Sequence, residues 1–282
     1  MLVFPNCKIN LGLHVVRKRD DGYHDLDTVF YPIALNDAAE MIVCTASSDP
    51  GFELNLSGID VPGNKEDNLC YKAWKLIRQD FPDIPSLKMY LHKAIPHGAG
   101  LGGGSSDAAA TLQLLNEVLS LGISNEKLMQ YALQLGSDCP FFLYNKPCSA
   151  TRRGEKMEPL ELNLNSCSFV LVHPGIHIST KEAFQILKIA DLKTNALRPK
   201  DVVQQRPETW KESLVNDFEA PVFSKYPQLR KIKEVLYESG AIYASMTGTG
   251  SCVYGIFNKL PVPELEPVLD PSYKIYYVNR TV

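Results

Sequence analysis

The densest run of chemically useful residue types lies at positions 96–110, Pro-His-Gly-Ala-Gly-Leu-Gly-Gly-Gly-Ser-Ser-Asp-Ala-Ala-Ala. Gly98, Gly100, Gly102, Gly103 and Gly104 fall within seven consecutive positions, and each removes a Cβ atom where a ligand would approach the backbone. Ser105 and Ser106 then open a helical pattern in which Leu112, Leu115 and Leu119 share one side. Exposed N–H groups and the positive dipole end at such a helix start suit a phosphate. A plain surface turn before a capped helix accounts for far fewer of the glycines.

Three phosphate-binding patterns compete for this stretch. A Walker A loop needs a lysine after its last glycine, where Ser105 stands instead. Gly98-x-Gly100-x-x-Gly103 does satisfy the dinucleotide expression. The acidic residue that expression requires about twenty positions later falls on Glu117, inside the helical run. A protein-kinase glycine loop requires H-R-D and D-F-G downstream, and neither occurs.

Four other segments carry polar residues in unusual settings. Lys8 and Asn10 sit in the run Pro5-Asn6-Cys7-Lys8-Ile9-Asn10-Leu11. A lysine near a strand start is ordinarily a solvated charge, but these apolar neighbours favour a cleft. Gly136-Ser137-Asp138-Cys139-Pro140 would, taken alone, be a turn with a capping aspartate. Thr247-Gly248-Thr249-Gly250 is a glycine turn of hairpin type. In Arg19-Asp20-Asp21-Gly22-Tyr23-His24 a hairpin explains Asp21-Gly22 but not the two rings after it. A ring that stacks on a base, followed by a histidine that reads the base edge, would explain them.

Together these segments resemble the GHMP kinases. The pattern P-x-x-x-G-L-G-G-G-S-S-D-A-A resembles that family's ATP-binding motif with additional glycines, the form of its diphosphocytidyl-methylerythritol kinase branch. The N-terminal run is similar to the family's P-A-K-I-N-L with Cys7 in place of alanine, and residues 136–142 to its G-A-D-V-P-F-F. Residues 244–253 resemble the third motif, with Thr247 and Thr249 where serines are usual. The D-G-Y-H at 21–24, His173-Pro174-Gly175, residues 179–184 and Asn216-Asp217-Phe218-Glu219 also fit that branch.

The resemblance implies a two-domain GHMP kinase fold with the active site in the cleft between the domains. It implies ATP with Mg²⁺, and 4-diphosphocytidyl-2-C-methyl-D-erythritol as the acceptor, phosphorylated on its 2-hydroxyl in non-mevalonate isoprenoid precursor synthesis. Lys8 would orient the acceptor hydroxyl and stabilise developing charge, and Asp138 would be the general base. Pro96, Leu101, the five glycines, Ser105 and Ser106 would hold ATP, with Ser105 also a metal ligand. Asn68 and Lys93 would lie beside the adenosine. Asn10, Tyr23, His24, Thr180 and Phe184 would address the acceptor, Tyr23 and His24 its cytosine. Phe184 is either the opposite aromatic face or a core residue. A nucleotide-binding oxidoreductase, a non-catalytic nucleotide sensor and a GHMP kinase for mevalonate or a sugar are the rival readings. Lys8 and Asp138 count against the sensor, and D-G-Y-H against the last.

These residues need a scaffold. Residues 9–16, 28–34, 39–45, 87–91 and 169–173 read as strands, and 241–257 as two strands around the glycine turn. Helical periodicity starts at Glu66 and stops before Pro82, then recurs at 106–119 and at 125–135 behind Ser124 as N-cap. Further helices are predicted at 181–189, 210–217 and 228–239. Strands and helices interleave without a strict βαβ repeat, which makes the fold class α+β. The polar stretch 161–166 predicts a division into residues 1–163, the N-terminal ATP-binding domain, and 164–282, the C-terminal kinase domain.

With 282 residues, 45% of them hydrophobic, the chain can bury a core without staples. Its formal net charge of -3 offers no attraction to a nucleic-acid backbone, so no such partner is expected. The cysteines number seven, an odd count with no C-x-x-C pair. They read as reduced thiols of a cytoplasmic protein, which excludes a disulfide framework and a zinc site. No apolar run is long enough to cross a bilayer and no basic leader precedes one, so neither a membrane span nor a signal peptide is expected. None of these patterns encodes an oligomeric state.

Overall fold

The computed structural model describes residues 1–44, 51–187, 197–258 and 262–279. A short strand β1 (Leu2–Val3) precedes β2 (Asn6–Lys18), which is buried without a break from Asn6 to Leu13. Side chains alternate along a strand, so Cys7, Ile9, Leu11 and Leu13 fill one face while Asn6, Lys8 and Asn10 are hidden on the other. A buried polar face in a central strand needs partners for each of its groups. β3 (His24–Asn36) follows a turn at Gly22, whose φ of +84° glycine adopts without strain. After β4 (Ala38–Cys44) and β5 (Phe52–Gly58) comes α1 (Leu69–Asp80), and after β6 (Ser86–Lys93) come α2 (Gly103–Val118), α3 (Asn125–Leu135) and α4 (Cys139–Tyr144). The remainder is β7 (Cys148–Arg152), β8 (Lys156–Pro159), β9 (Ser168–His173), α5 (Thr180–Ile186), α6 (Pro199–Val202), α7 (Glu219–Lys225), α8 (Pro227–Glu238), β10 (Tyr243–Met246), β11 (Val253–Phe257) and β12 (Lys274–Val278). The fold is therefore α+β.

The chain groups into two compact units. The first takes Met1–Cys7, Leu35–His97 and Gly102–Asn145. Its sheet has the order β1-β4-β6-β5, with β5 and β6 parallel and the other pairs antiparallel. α1 buries Cys70, Ala73, Trp74 and Ile77, one stripe at helical spacing. They join Met41, Leu87, Met89 and Leu91 of the sheet, Leu112 and Leu115 of α2 and Leu128 of α3 in one core. Each fully buried side chain of this size contributes about 1.5–3 kcal/mol. Asn68 caps α1 by accepting from the Cys70 N–H at 2.9 Å, and Ser124 caps α3 by accepting from the Lys127 N–H at 3.3 Å. Such caps add about 1 kcal/mol each.

The second unit takes Lys8–Ala34, Gly98–Leu101 and Lys146–Val282. It carries sheets of order β2-β3-β7-β8 and β10-β11-β9-β12. The β9, β10 and β11 face covers a core with Leu229, Ile232 and Leu236 of α8, Val222 and Phe223 of α7, and Leu13 and Val15 of β2.

Several elements depart from the pattern reading. A helix predicted over 210–217 is instead a 3-10 turn over Pro207–Glu212. Beyond it the backbone leaves helical geometry to pair with β2: the Leu13 N–H donates to the Val215 carbonyl at 2.9 Å and the Asp217 N–H to the Leu13 carbonyl at 2.9 Å. α2 starts at Gly103, a turn ahead of the predicted 106. The helix predicted over 181–189 is α5, ending at Ile186, and positions 188–189 lie outside the described residues. Strands β5, β7, β8 and β12 were not predicted, although β5 alternates Phe52, Leu54 and Leu56 with polar neighbours.

Candidate active site

In the first unit, α2 begins where the glycine stretch ends. Gly102 holds φ +73° at the cap position, and its carbonyl accepts from the Ser106 N–H at 2.9 Å. Gly103 is needed for packing, because a Cβ there would stand 2.9 Å from Ile95 Cγ2. Gly104 is different: a Cβ there would meet nothing within 4 Å. Its missing side chain therefore leaves a cradle at the start of a 16-residue helix, beside N–H groups that have no partner within that helix. Ser105 is half-buried in the same turn.

A pocket adjoins this cradle. Leu56, Val61 and Pro62 form its apolar lining, and Asn68, Lys93, Gly104 and Asp107 its polar lining. Lys93 is buried between Asp37 and Asp107, with its Nζ 2.5 Å from Asp107 Oδ2 and bonded to Asp37 Oδ2. Burial pulls the Lys93 ammonium down, and Asp107 and Asp37 more than offset it, so its pKa lies above the ordinary value. Burial pushes the Asp107 carboxyl up against the pull of Lys93, and Asp37 adds to the rise.

Asp138 stands half-buried at the cap position of α4, ahead of buried Cys139, Pro140 and Phe141. Its side chain makes no capping hydrogen bond to the first turn of α4.

In the second unit, Lys8 Nζ donates to Asn10 Oδ1 at 2.6 Å, and Phe30 presents its ring 5.0 Å from the same nitrogen. Asn10 Nδ2 donates to Thr28 Oγ1 at 3.0 Å, which donates to the Gly12 carbonyl at 2.5 Å. The Asn10 N–H donates to Thr247 Oγ1 at 3.1 Å, and that hydroxyl donates to the Gly100 carbonyl at 3.1 Å. The N-terminal strand, residues 98–101 of the glycine stretch and the third-motif loop thus share one hydrogen-bonded network. The Lys8 N–H adds a bond to the Leu101 carbonyl at 3.0 Å.

The third-motif loop is fastened from behind. Asn216 Nδ2 donates to the carbonyls of Met246 at 2.8 Å and Gly248 at 2.9 Å. Glu219 Oε1 accepts from the Met246 N–H at 2.8 Å and from Ser245 Oγ at 3.0 Å. Asn216 and Glu219 of the segment Asn216-Asp217-Phe218-Glu219 therefore fix this loop. Gly98 lies against the imidazole of His177, leaving no room for a side chain.

The rings at the β2–β3 turn have separate settings. His24 stacks on Phe184 with centroids 4.3 Å apart and an interplanar angle of 13°, and Phe218 meets the far ring edge-on at 4.9 Å. Burial, then the charge of Lys18, lowers the His24 pKa, so its imidazole is neutral at pH 7. Tyr23 is 55% exposed, with the Arg153 guanidinium 4.8 Å from its ring centroid. Thr180 is exposed on the first turn of α5, which Ser179 caps by accepting from the Glu182 N–H at 3.1 Å.

The structure thus brings Lys8 together with Asn10, Gly100 and Leu101, places Asn68, Lys93 and Gly104 in one pocket, and joins His24 to Phe184. Pro96 is buried just ahead of the glycines, and Ser106 in the first turn of α2. Asp138 and Ser105 belong to the first unit and Lys8 to the second. Sequence reasoning missed Asp37, Asp107, Thr28 and Arg153. Asp37 between two strands looks like any turn aspartate, and only its burial betrays it.

Comparison with known proteins bears on these arrangements. The family model for the GHMP kinases N terminal domain matches residues 68–146, and that for the GHMP kinases C terminal domain matches 200–267. A 4-diphosphocytidyl-2-C-methyl-D-erythritol kinase of Bacteroides fragilis is 46% identical over 92% of this chain and 92% of its own. The kinase of the same name from Cytophaga hutchinsonii is 44% identical over 93% and 94%. The crystal structure of a 4-(cytidine 5'-diphospho)-2C-methyl-D-erythritol kinase superposes with a TM-score of 0.81 at 26% identity, covering 99% of this chain and 98% of that one. A mevalonate kinase at 15% identity and a TM-score of 0.73 shares the fold. On sequence identity across nearly its whole length, the chain belongs to the 4-diphosphocytidyl-2-C-methyl-D-erythritol kinase family of GHMP kinases.

Proposed function

We propose that the chain transfers the γ-phosphoryl group of ATP to the 2-hydroxyl of 4-diphosphocytidyl-2-C-methyl-D-erythritol, as a cytoplasmic enzyme of non-mevalonate isoprenoid precursor synthesis. The observation that carries this is the open cradle at Gly104 on the first turn of α2, adjoining a pocket lined by both apolar and polar side chains. Triphosphate oxygens meet the N–H groups of the α2 start, and the adenosine enters the pocket beside Asn68 and Lys93. No helix among the described residues is long and apolar enough to cross a membrane.

Asp138 takes the proton of the acceptor hydroxyl as its oxygen attacks phosphorus. A carboxylate within hydrogen-bond reach of the hydroxyl can take that proton. Lys8, with one donor fixed by Asn10, stabilises the charge that develops in transfer. Tyr23 stacks on the cytosine and His24 reads its edge, while Thr180 and Phe184 complete the acceptor side.

A Mg²⁺ that accompanies ATP would find the Ser105 hydroxyl as a protein ligand on the first turn of α2. Among the described residues no cluster of three His, Cys, Asp or Glu side chains could cage a metal by itself. When bound, the ion supplies neutralisation of phosphate charge.

The test is ADP release across a panel of acceptors. Turnover with 4-diphosphocytidyl-2-C-methyl-D-erythritol and little with mevalonate or galactose is expected. Activity on a sugar alone would sink the assignment.

A further inference from the structure

Lys93 is not an ordinary phosphate-binding lysine. An ammonium has three N–H donors, and two of them are committed to Asp37 Oδ2 and Asp107 Oδ2. The ammonium is enclosed by two buried acidic side chains, with Lys93 4%, Asp37 0% and Asp107 4% exposed at the side chain. What remains for the pocket is a single donor whose direction is fixed by the other two. Asp37 is itself held on three sides. Its Oδ1 accepts from the Ala94 N–H at 2.6 Å and the Ile95 N–H at 2.8 Å, and its own N–H donates to the Pro5 carbonyl at 2.8 Å. One carboxylate therefore sets both the lysine and the backbone that leads into the glycine stretch.

Asp107 stands one turn into α2 and, like Lys93, lines the pocket. Its Oδ1 is buried and has no hydrogen-bond partner among the described residues. Gly103 borders this corner, where a Cβ would come into ordinary contact with Lys93 Nζ at 3.5 Å.

We propose that Asp37 and Asp107 are positioning residues for nucleotide binding, which act together by aiming the one remaining N–H of Lys93 into the pocket. The proposal rests on the reading of that pocket as the nucleotide's. The arrangement favours a neutral hydrogen-bond acceptor on the nucleoside over a phosphate oxygen, because the acidic pair leaves no net positive charge at Lys93 to attract one. A rise in the Lys93 pKa under these carboxylates is in keeping with an ammonium that stays protonated throughout.

The test is a double-mutant cycle on ADP affinity, measured calorimetrically on the full chain, with steady-state kinetics beside it. Lys93→Met should raise the ADP dissociation constant about 10- to 100-fold, the range for a lost hydrogen bond to a charged group. Asp37→Asn keeps an oxygen for Ala94 and Ile95 but turns an N–H toward the ammonium, so it should weaken ADP comparably. The Michaelis constant for the acceptor should stay unchanged, and kcat at saturating ATP should stay within about twofold. In the Lys93→Met background, Asp37→Asn should add nothing further, since it acts through that lysine. Asp107→Asn is read in the same cycle and carries the test should Asp37→Asn not fold. Unchanged ADP affinity in Lys93→Met would overturn the pocket reading and the inference with it. Weakened affinity in Lys93→Met, with wild-type affinity in folded Asp37→Asn or Asp107→Asn, or fully additive losses, would overturn the inference alone.

Discussion

The carbonyl oxygen of Thr247 occupies the space that a Cβ on Gly100 would need. Gly100 holds φ +78° and Gly248, next along the third-motif loop, φ +58°, so two loops distant in sequence meet backbone to backbone. Gly104 has no such neighbour, and the two glycines therefore answer to different demands.

Gly100→Ala should destabilise the fold by at least about 1–2 kcal/mol from its left-handed backbone alone, with the overlap added. Gly104→Ala should leave stability equal or better by about 0.5–1 kcal/mol, since alanine is the better helix former. It should nonetheless raise the Michaelis constant for ATP. Urea midpoints and ATP kinetics on both variants separate the effects. An alanine at 104 that binds ATP normally would place the phosphates elsewhere.

Asp138→Asn should fold and bind both substrates yet lose turnover. General-base catalysis is worth roughly 10²- to 10⁴-fold, and single-turnover rates would report the loss. A loss of only a few-fold would make Asp138 a positioning group, which a loose transition state allows.

Tyr23→Ala should raise the acceptor Michaelis constant and leave ATP affinity untouched, with a cost of about 1–3 kcal/mol by analogy with base stacking. Arg153, seated on the Tyr23 ring, makes Arg153→Ala a milder version of the same change. Should either variant lose ATP binding while keeping the acceptor, the two pockets have been assigned in reverse.

Acidification should weaken the fold through His173. Burial first, then Lys274 and His177, lowers its pKa below the ordinary 6.5. The unfolded chain then binds the proton more readily, so stability is full above pH 6.5 and falls as pH drops below it, until the folded pKa is passed. His14, raised despite its burial by its hydrogen bond to Asp217, works in the opposite direction. The difference between wild type and His173→Phe isolates the first term. Parallel urea midpoints from pH 8 to pH 5 would show that His173 carries none of it.

The strongly periodic elements were legible because one stripe of side chains decides them. α3 has its predicted bounds, with Ser124 accepting the capping bond. α8, predicted over 228–239, runs from Pro227 to Glu238 and buries Leu229, Ile232, Val235 and Leu236 as one stripe. The segment around Asn216 was not legible, because its conformation comes from pairing with Leu13 and from carbonyls of a distant loop. Burial of Lys8 was signalled only by its apolar neighbours, and burial of Asp37 by nothing local. The glycine stretch announced a phosphate, but which glycine faces packing and which faces the open cradle emerges only from what surrounds each one.

The pairing of β2 with the Asn216 segment also constrains how the protein is made. His14 and Asp217 lie 203 residues apart. At about 5–20 residues per second, the ribosome needs on the order of 10–40 seconds to supply the partner. During that interval the apolar residues of β2 have no native cover from that side. The first unit also needs Met1–Cys7, yet it completes its chain by Asn145. Birth order and assembly order therefore diverge: the strand bearing Lys8 is synthesised well before the segment that completes its cover.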